Sequence, residues 1–401
     1  MNRFLAPLVL VSLAACARVS PPGDGVPSGG PLSALGGAGD VRVTALAGHG
    51  SGVYAVGFNT TDPDDPLAES STFIRKHSTS GALVWRRQFR FNEFDFVAGV
   101  ASDANNNAYV VGETLSELDQ DAFIRKYTAG GRLAWTRRFT ATPDDPNSPY
   151  ATYPRAVAAY EGDAIYVVGF TYGNIEGSVG DGNLFIRKYA ADGRVSWTRQ
   201  FGLTEDPFGS DDVGDVAVDG HGNAYVVGVT DNASGGANNF ADAFVRKYRP
   251  DGGVAWTRKL DFSPDDSANA VAVSDGEVYL GVGYVAGRDE FGDPEYGARV
   301  AKVFTNGGLA RGWGFTYNTP SSDRIEDLSA DGNVYLSATT EVPSQDGYGV
   351  VVKLKPSGTR VWGKRIGEGA LVARAPNEVY LAAPPLLRRL DGTGGATIWV
   401  K

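Results

Sequence analysis

The sequence predicts an all-β protein made of repeated four-stranded antiparallel units, and three observations carry that expectation. A phrase that opens Phe-Ile-Arg-Lys-Tyr, turns through a Gly and closes on Trp runs from Phe123 to Trp135. It returns from Phe73 to Trp85, Phe185 to Trp197 and Phe244 to Trp256, with looser copies ending at Trp313, Trp362 and Trp399. All 7 Trp of the chain fall at this one position. The second observation is a Tyr followed three residues later by Gly or another small residue, at Tyr54–Gly57, Tyr109–Gly112, Tyr166–Gly169 and Tyr225–Gly228, then more loosely at Tyr279, Tyr335 and Tyr380. The third is the composition of 53 Gly, 11% aromatic residues and one Met, which suits many short strands joined by turns.

Taken in order, the chain starts with Arg3 and an apolar run from Phe4 to Leu13 that stops at Ala14-Ala15-Cys16. A run this short reads as an export signal rather than a membrane span. Leu13-Ala14-Ala15-Cys16 resembles the lipobox of bacterial lipoproteins, which implies cleavage after residue 15 and acylation of Cys16. Cys16 is the only Cys, and an exported chain rarely keeps an unpaired thiol without a use for it. The resemblance implies a protein anchored by acyl chains at the cell envelope, on the outer membrane or cell surface. Residues 16–40 follow, with Pro21, Pro22, Pro27 and Pro31 among many Gly and no apolar periodicity, so they read as a tether.

From 41 to 401 each repeat resolves into four strand-like segments, here named a to d. These are a run of small and branched residues, the Tyr strand, the Phe-Ile-Arg-Lys strand and the Trp strand. Turn residues separate a from b at Asn105-Asn106-Asn107 and Gly220-His221-Gly222-Asn223, and c from d at Asp192-Gly193, Asp251-Gly252, Asn306-Gly307 and Ser357-Gly358. Antiparallel units of this length cannot bury both faces alone and stack around an axis as a β-propeller, so seven copies predict seven blades. The expected chain starts on strand a of the first unit and ends on strand d of the seventh at Thr397 to Val400, with no strand exchanged to latch the ring. Small strand-a residues such as Gly99, Ala101, Ala156 and Ala270 suit the crowded axis. The Arg-Lys pairs on strand c (Arg75-Lys76, Arg125-Lys126, Arg187-Lys188, Arg246-Lys247) recur once per unit and read as structural, with stems along neighbouring blades and charged ends in water.

Ala217-Val218-Asp219 through Gly228, followed by Asp242-Ala243-Phe244 through Trp256, resembles the bacterial β-propeller repeat family abbreviated SBBP. The resemblance implies the fold and transfers no catalytic residues.

Charge narrows the function classes. Asp and Glu (47) outnumber Lys and Arg (37), a formal net charge of −10, which argues against a nucleic-acid-binding surface. In a propeller the d–a and b–c loops share one face, and by sequence count the loops of that face hold 28 acids against Arg90 and Arg288. The candidate acidic binding face is Asp62, Asp64, Asp65, Asp144, Asp145, Asp206, Asp211, Asp212, Asp265, Asp266, Asp289 and Asp293. Three related phrases, Asp62-Pro63-Asp64-Asp65-Pro66, Pro143-Asp144-Asp145-Pro146 and Pro264-Asp265-Asp266, cluster carboxylates as Ca²⁺ prefers, so Ca²⁺ is the one cofactor the loops suggest. No loop matches a calcium-hand pattern, and acids also keep exported proteins soluble. Arg155, Asp215, Arg324, Glu326 and Asp327 sit on or beside strand a, where they line a channel mouth or pair among themselves. The three His (His49, His77, His221) have no zinc spacing, and no G-x-S-x-G or phosphate loop is present.

The expected function is therefore a lipid-anchored envelope module that binds a protein or glycan partner through its acidic loop face and performs no catalysis. The alternatives are an envelope polysaccharide hydrolase, since paired carboxylates abound, or a role like the propeller lipoprotein of the outer-membrane barrel-assembly machinery.

Overall fold

The computed structural model describes residues 40–400, apart from 61–69, 93, 116–118, 143–149, 162–163, 181, 204–210, 232–240, 264, 289–293, 320, 343–346, 367–370, 376–377 and 384–385. The signal segment, Cys16 and the tether lie outside the described residues. Within them there is no helix, and apart from the two-residue strands Ala141–Thr142, Asn174–Ile175 and Ser178–Val179 the strands fall into seven consecutive groups of four. Unit 1 comprises Asp40–His49, Gly52–Thr60, Ser70–Ser78 and Leu83–Phe89. Unit 2 is Phe94–Ser102, Ala108–Leu115, Asp119–Tyr127 and Leu133–Phe139, and unit 3 is Tyr150–Tyr160, Ala164–Thr171, Leu184–Ala190 and Val195–Phe201. Unit 4 is Asp211–Val218, Ala224–Asp231, Ala241–Tyr248 and Val254–Leu260, and unit 5 is Asp266–Ser274, Glu277–Arg288, Pro294–Phe304 and Phe315–Tyr317. Unit 6 is Ser322–Ala330, Val334–Glu341, Tyr348–Leu354 and Arg360–Ile366, and unit 7 is Leu371–Ala375, Glu378–Ala383, Leu386–Asp391 and Thr397–Val400. Every unit pairs a to b, b to c and c to d antiparallel. Units 2 and 3 are also joined by a short parallel pairing of Tyr150 with Asp119 and Ala151 with Gln120.

The recurring residues knit each unit to the next. The Trp135 indole N–H donates to the Ala191 carbonyl in the following c–d turn at 3.0 Å, and the Lys126 ammonium donates to the same carbonyl at 3.0 Å. The pattern repeats from Trp85 and Lys76 onto Ala129, from Trp197 and Lys188 onto Pro250, from Trp256 and Lys247 onto Thr305, and from Trp362 and Lys353 onto Gly392. The turn's Gly is required at this point. Gly193 has φ +82°, and a Cβ there would lie 2.8 Å from the Trp135 ring. Each Lys also lies over the Tyr of strand b, as Lys126 does over Tyr109 at 5.2 Å. The charged ends of these lysines are thus bonded to the neighbouring unit rather than left in water, because one carbonyl of the turn accepts from both Lys and Trp. The arginines beside them stack on Phe rings, Arg125 over Phe89 and Phe91 at 4.2 Å and Arg187 over Phe139 at 4.5 Å.

Strand a of each unit packs against strand a of the next through all seven, and strand a of unit 7 returns to strand a of unit 1. Buried Leu46, Val53 and Ala55 of unit 1 form one cluster with Tyr380, Ala382 and Leu387 of unit 7. Arg389, at the Lys position of unit 7, donates to the Thr79 carbonyl at 2.6 Å, the contact that Lys76, Lys126, Lys188, Lys247 and Lys353 make with their following units, whereas Lys302 of unit 5 donates to Glu277 instead.

Strand a carries a register slip that the sequence pattern does not announce. Its pairing with strand b shifts between Val43 and Ala45, Val97 and Gly99, Pro154 and Ala156, Val213 and Asp215, Ala268 and Ala270, and Ile325 and Asp327. Each slip inserts one residue, and Thr44, Ala98, Arg155, Gly214, Asn269 and Glu326 occupy it. Such bulges re-aim side chains. The Gly of the Tyr-x-x-Gly marker sits just beside the slip, where a Cβ on Gly112 would stand 2.0 Å from the Phe96 carbonyl oxygen.

Candidate functional site

Two sets of carboxylates belong to the frame. Asp103 and Asp219 close the a–b turns: Asp219 accepts from the backbone N–H of His221 and Asn223, the Asn223 amide and the Tyr225 hydroxyl, and Asp103 makes the same set with Asn105, Asn107 and Tyr109. In units 5 and 7 the Tyr hydroxyl finds Glu277 and Glu378 instead. The second set lies three residues before the inserted residue of the bulge in units 2, 4, 5 and 6. There Asp95, Asp266 and Asp323 are buried and accept from backbone N–H groups of the incoming d–a loop, at Phe91, Phe262 and Thr319. Asp211 does the same for Leu203 at 2.5 Å, and Thr152 replaces the acid in unit 3, accepting from Ala141 at 3.0 Å. A loop that must turn into an inner strand has N–H groups to satisfy, and one carboxylate in each of units 2, 4, 5 and 6 meets that need.

This sorts the acidic face expected from sequence. Asp62, Asp64, Asp65, Asp144, Asp145, Asp206, Asp289 and Asp293 lie outside the described residues. Of the others, Asp211 and Asp266 cap loops, Asp265 accepts from the Ala241 N–H at 3.2 Å, and Asp212 pairs with Arg155. Burial raises the Asp266 carboxyl against the pull of its N–H donors. Among the described residues no group of three or more His, Cys, Asp or Glu could hold a metal ion.

The residues directly after the capping position do not repeat. They are Arg42, Phe96, Tyr153, Asp212, Ser267 and Arg324, paired across to Phe58, Glu113, Phe170, Val229, Gly283 and Thr339 on strand b. In units 2 to 4 this layer becomes one connected cluster at the d–a and b–c loop end. Tyr153 stacks on Phe170 with centroids 4.4 Å apart and planes 13° apart, and Tyr172 meets both edge-on at 6.0 and 5.7 Å. The Arg155 guanidinium lies 4.8 Å over Phe170 and 3.3 Å from the Asp212 carboxylate. Tyr172 is held by its N–H donating to the Ala151 carbonyl at 3.1 Å, yet 41% of it is exposed. Glu113 faces Gln120, Arg155 and Tyr153, and burial pushes its carboxyl up to about 7 despite the hydrogen bond from Gln120 and the positive charge of Arg155. Burial, with the nearby Glu113 charge, raises Tyr153 to about 12. An exposed aromatic face bordered by a cation, a carboxylate and a protonatable acid can stack a ring and exchange hydrogen bonds with its substituents.

Of the five residues expected at the channel mouth, Arg155 enters this cluster. Arg324 and Glu326 pair with each other at 3.0 Å, and Asp327 accepts from the Leu328 N–H at 2.7 Å. Asp215 accepts from the N–H groups of Val216 at 2.7 Å and of Val271 in unit 5 at 2.9 Å, stapling two inner strands. Protein surrounds it closely enough that burial drives its carboxyl up to about 7 from 3.8, outweighing both N–H donors. The folded protein therefore holds this proton up to about pH 7 while the unfolded chain releases it near pH 4, so stability falls as pH rises through that window. Asp215→Asn is expected to flatten that part of the stability curve relative to wild type. Chemical denaturation from pH 4 to pH 8 checks it, and parallel curves would contradict it.

At the opposite end a cleft of about 600 Å³ opens between units 4 and 5, lined by Asp219, His221, Lys247, Ser274 and Asp275 among others. Unit 3 bridges the matching gap with Tyr160, whose hydroxyl reaches the Gly220 carbonyl at 3.1 Å, whereas unit 4 places Val218 there. Asp219 and Lys247 are frame residues, so the cleft reads as an unfilled seam.

The fold and site define an all-β repeat protein whose non-repeating residues gather at one end of the inner strands. Residues 196–236, from strand d of unit 3 through strand b of unit 4, match the model of the β-propeller repeat family, SBBP. That match overlaps the stretch whose sequence resembles the same family. No curated protein matches the chain. Among solved structures, one titled "Crystal structure of polysaccharide lyase Uly1" superposes with a TM-score of 0.49 at 12% identity, covering 88% of each chain.

Proposed function

We propose that the chain is a seven-bladed β-propeller, tethered to the bacterial envelope through an acylated Cys16, that acts as a binding module through the mouth at its d–a and b–c loop end. The observation that carries the reading is the division of labour within each repeat. The repeating Trp, Lys, Tyr and Asp are engaged with the frame, while the layer of Glu113, Tyr153, Arg155, Phe170 and Asp212 breaks the repeat and leaves Tyr172 open. The acids of the same loop face give the mouth a negative surround that attracts cationic partners, repels anionic ones and leaves uncharged ones unopposed. The cyclic packing of seven inner strands and the Arg389 bond to Thr79 support closure of the ring.

Two experiments test this. Cys16→Ala is expected to move the protein from the membrane fraction to the soluble fraction, and unchanged membrane association would contradict the anchor. In that same background, the full chain is expected to co-sediment with isolated cell-wall and envelope material, with Arg155→Glu cutting retention about tenfold, a loss on the order of 1.4 kcal/mol. Equal retention of the two proteins would contradict a working mouth. Hydrolysis of an envelope polysaccharide is a second reading, favoured by Glu113, whose carboxyl at about 7 matches proton transfer at neutral pH.

A further inference from the structure

Resting on that reading of the mouth, the geometry points to its ligand: we infer that Tyr172, Tyr153, Arg155, Glu113 and Asp212 form a subsite for an uncharged sugar ring. The argument starts from the aromatic geometry. Tyr153 and Phe170 pack face to face, and Arg155 lies over Phe170, so those rings are engaged within the protein. Tyr172 stands edge-on to both and is the ring of the cluster with a large exposed area, at 41%. A flat aromatic face packed against two further rings and near hydrogen-bonding groups matches the two-sided chemistry of a pyranose. Its axial C–H face is apolar and packs on an aromatic ring, while its equatorial hydroxyls lie around the edge.

The border supplies the second half of the match. Each sugar hydroxyl both donates and accepts, and neighbouring hydroxyls are best met by a donor and an acceptor placed side by side. Arg155 and Asp212 stand 3.3 Å apart and present that combination, the guanidinium donating and the carboxylate accepting. Glu113 adds a group that donates when protonated and accepts when ionised. Bulge geometry puts Arg155 in this place, since it is the extra residue inserted between Pro154 and Ala156.

Charge then selects among sugars. The loops of this face hold 28 acids against two arginines by sequence count, and Glu113 and Asp212 lie within the site itself. A uronic acid or sulfated sugar would meet repulsion from that surround, which the single Arg155, already paired, does not offset. A neutral hexose or N-acetylhexosamine meets none.

The test uses the full Cys16→Ala chain titrated calorimetrically with cellotetraose, chitotetraose and tetragalacturonate, beside the envelope sedimentation described above. At least one neutral tetrasaccharide is expected to bind, with tetragalacturonate at least tenfold weaker. Tyr172→Ala is expected to weaken the neutral sugar about tenfold or more while Tyr172→Phe keeps most of the affinity, because stacking needs the ring and not the hydroxyl. Circular dichroism is expected to be unchanged in both variants, with a melting temperature near wild type for Tyr172→Phe and only a small fall for Tyr172→Ala, which loses the edge contacts to Tyr153 and Phe170. Failure of both neutral sugars to bind, tighter binding of tetragalacturonate, or indifference to Tyr172→Ala would each overturn the sugar assignment. If the sugars fail while Arg155-dependent co-sedimentation persists, only the ligand class is wrong. If co-sedimentation also loses its dependence on Arg155, the mouth itself is wrong.

Discussion

Trp197→Ala is expected to destabilise the protein by about 3–5 kcal/mol, the range for deleting a large aromatic from a packed interior. Trp197 lies between Tyr166 at 5.9 Å and Tyr248 at 6.3 Å, carries Arg199 5.3 Å over its ring, and donates to the Pro250 carbonyl at 3.0 Å. Removing it leaves that carbonyl to Lys188 alone and opens space against Gly252 in unit 4. The ring is only partly buried, so the loss comes from docking between units as much as from burial. Gly252→Ala perturbs the same contact from the other side. Its Cβ would lie 2.9 Å from the indole, at a residue whose φ of +84° already disfavours a side chain. Urea denaturation of both variants checks the effect. A loss below about 1 kcal/mol for Trp197→Ala would show that the repeated Trp contributes little to the frame.

The second large effect is expected at the seam. Deleting residues 386–401 removes the two outer strands of unit 7, including buried Leu387 and Leu390 and the Arg389 donor to Thr79. At about 2–5 kcal/mol for each of the two buried leucines, the loss should be at least about 4 kcal/mol. The damage should not stay local, because Leu387 packs with Leu46, Val53 and Ala55 of unit 1. A single cooperative transition at a much lower melting temperature is expected. An unchanged melting temperature would mean that units 7 and 1 do not support each other.

How much of this was legible in the sequence depends on whether a residue repeats. The Trp, the Tyr-x-x-Gly marker and the hairpin glycines recur because every unit faces the same packing problem, and their spacing alone gives the unit, its four strands and their order. The lysines were legible as structural but not in their partner, since a carbonyl in the next unit's turn leaves no mark on the sequence. Asp95, Asp211, Asp266 and Asp323 were legible as acids near long loops. That three of them are buried and that all four serve backbone N–H groups followed only from the bulge three residues on, which no residue type specifies.

The mouth was missed for the opposite reason. In a chain with 18 Tyr and 19 Phe, Tyr153, Phe170 and Tyr172 look like more core aromatics, and Glu113 looks like one more acid. One signal could have found two of them. The residue directly after the Tyr-x-x-Gly marker reads Phe58, Glu113, Phe170 and Val229 in the first four units, the one place beside the most regular phrase where regularity stops. Arg155 was noticed, but its pairing with Asp212 spans two units and depends on how their inner strands stack.

The central claim is that the non-repeating mouth, and not the opposite end, meets the partner. Site-specific photo-crosslinking in cells tests it most directly, with a benzophenone amino acid placed at Tyr172 in one strain and at the exposed turn residue His221, at the other end of the inner strands, in a second. The account predicts crosslinked envelope material from position 172 and little or none from position 221. Crosslinking from 221 with none from 172 would contradict it.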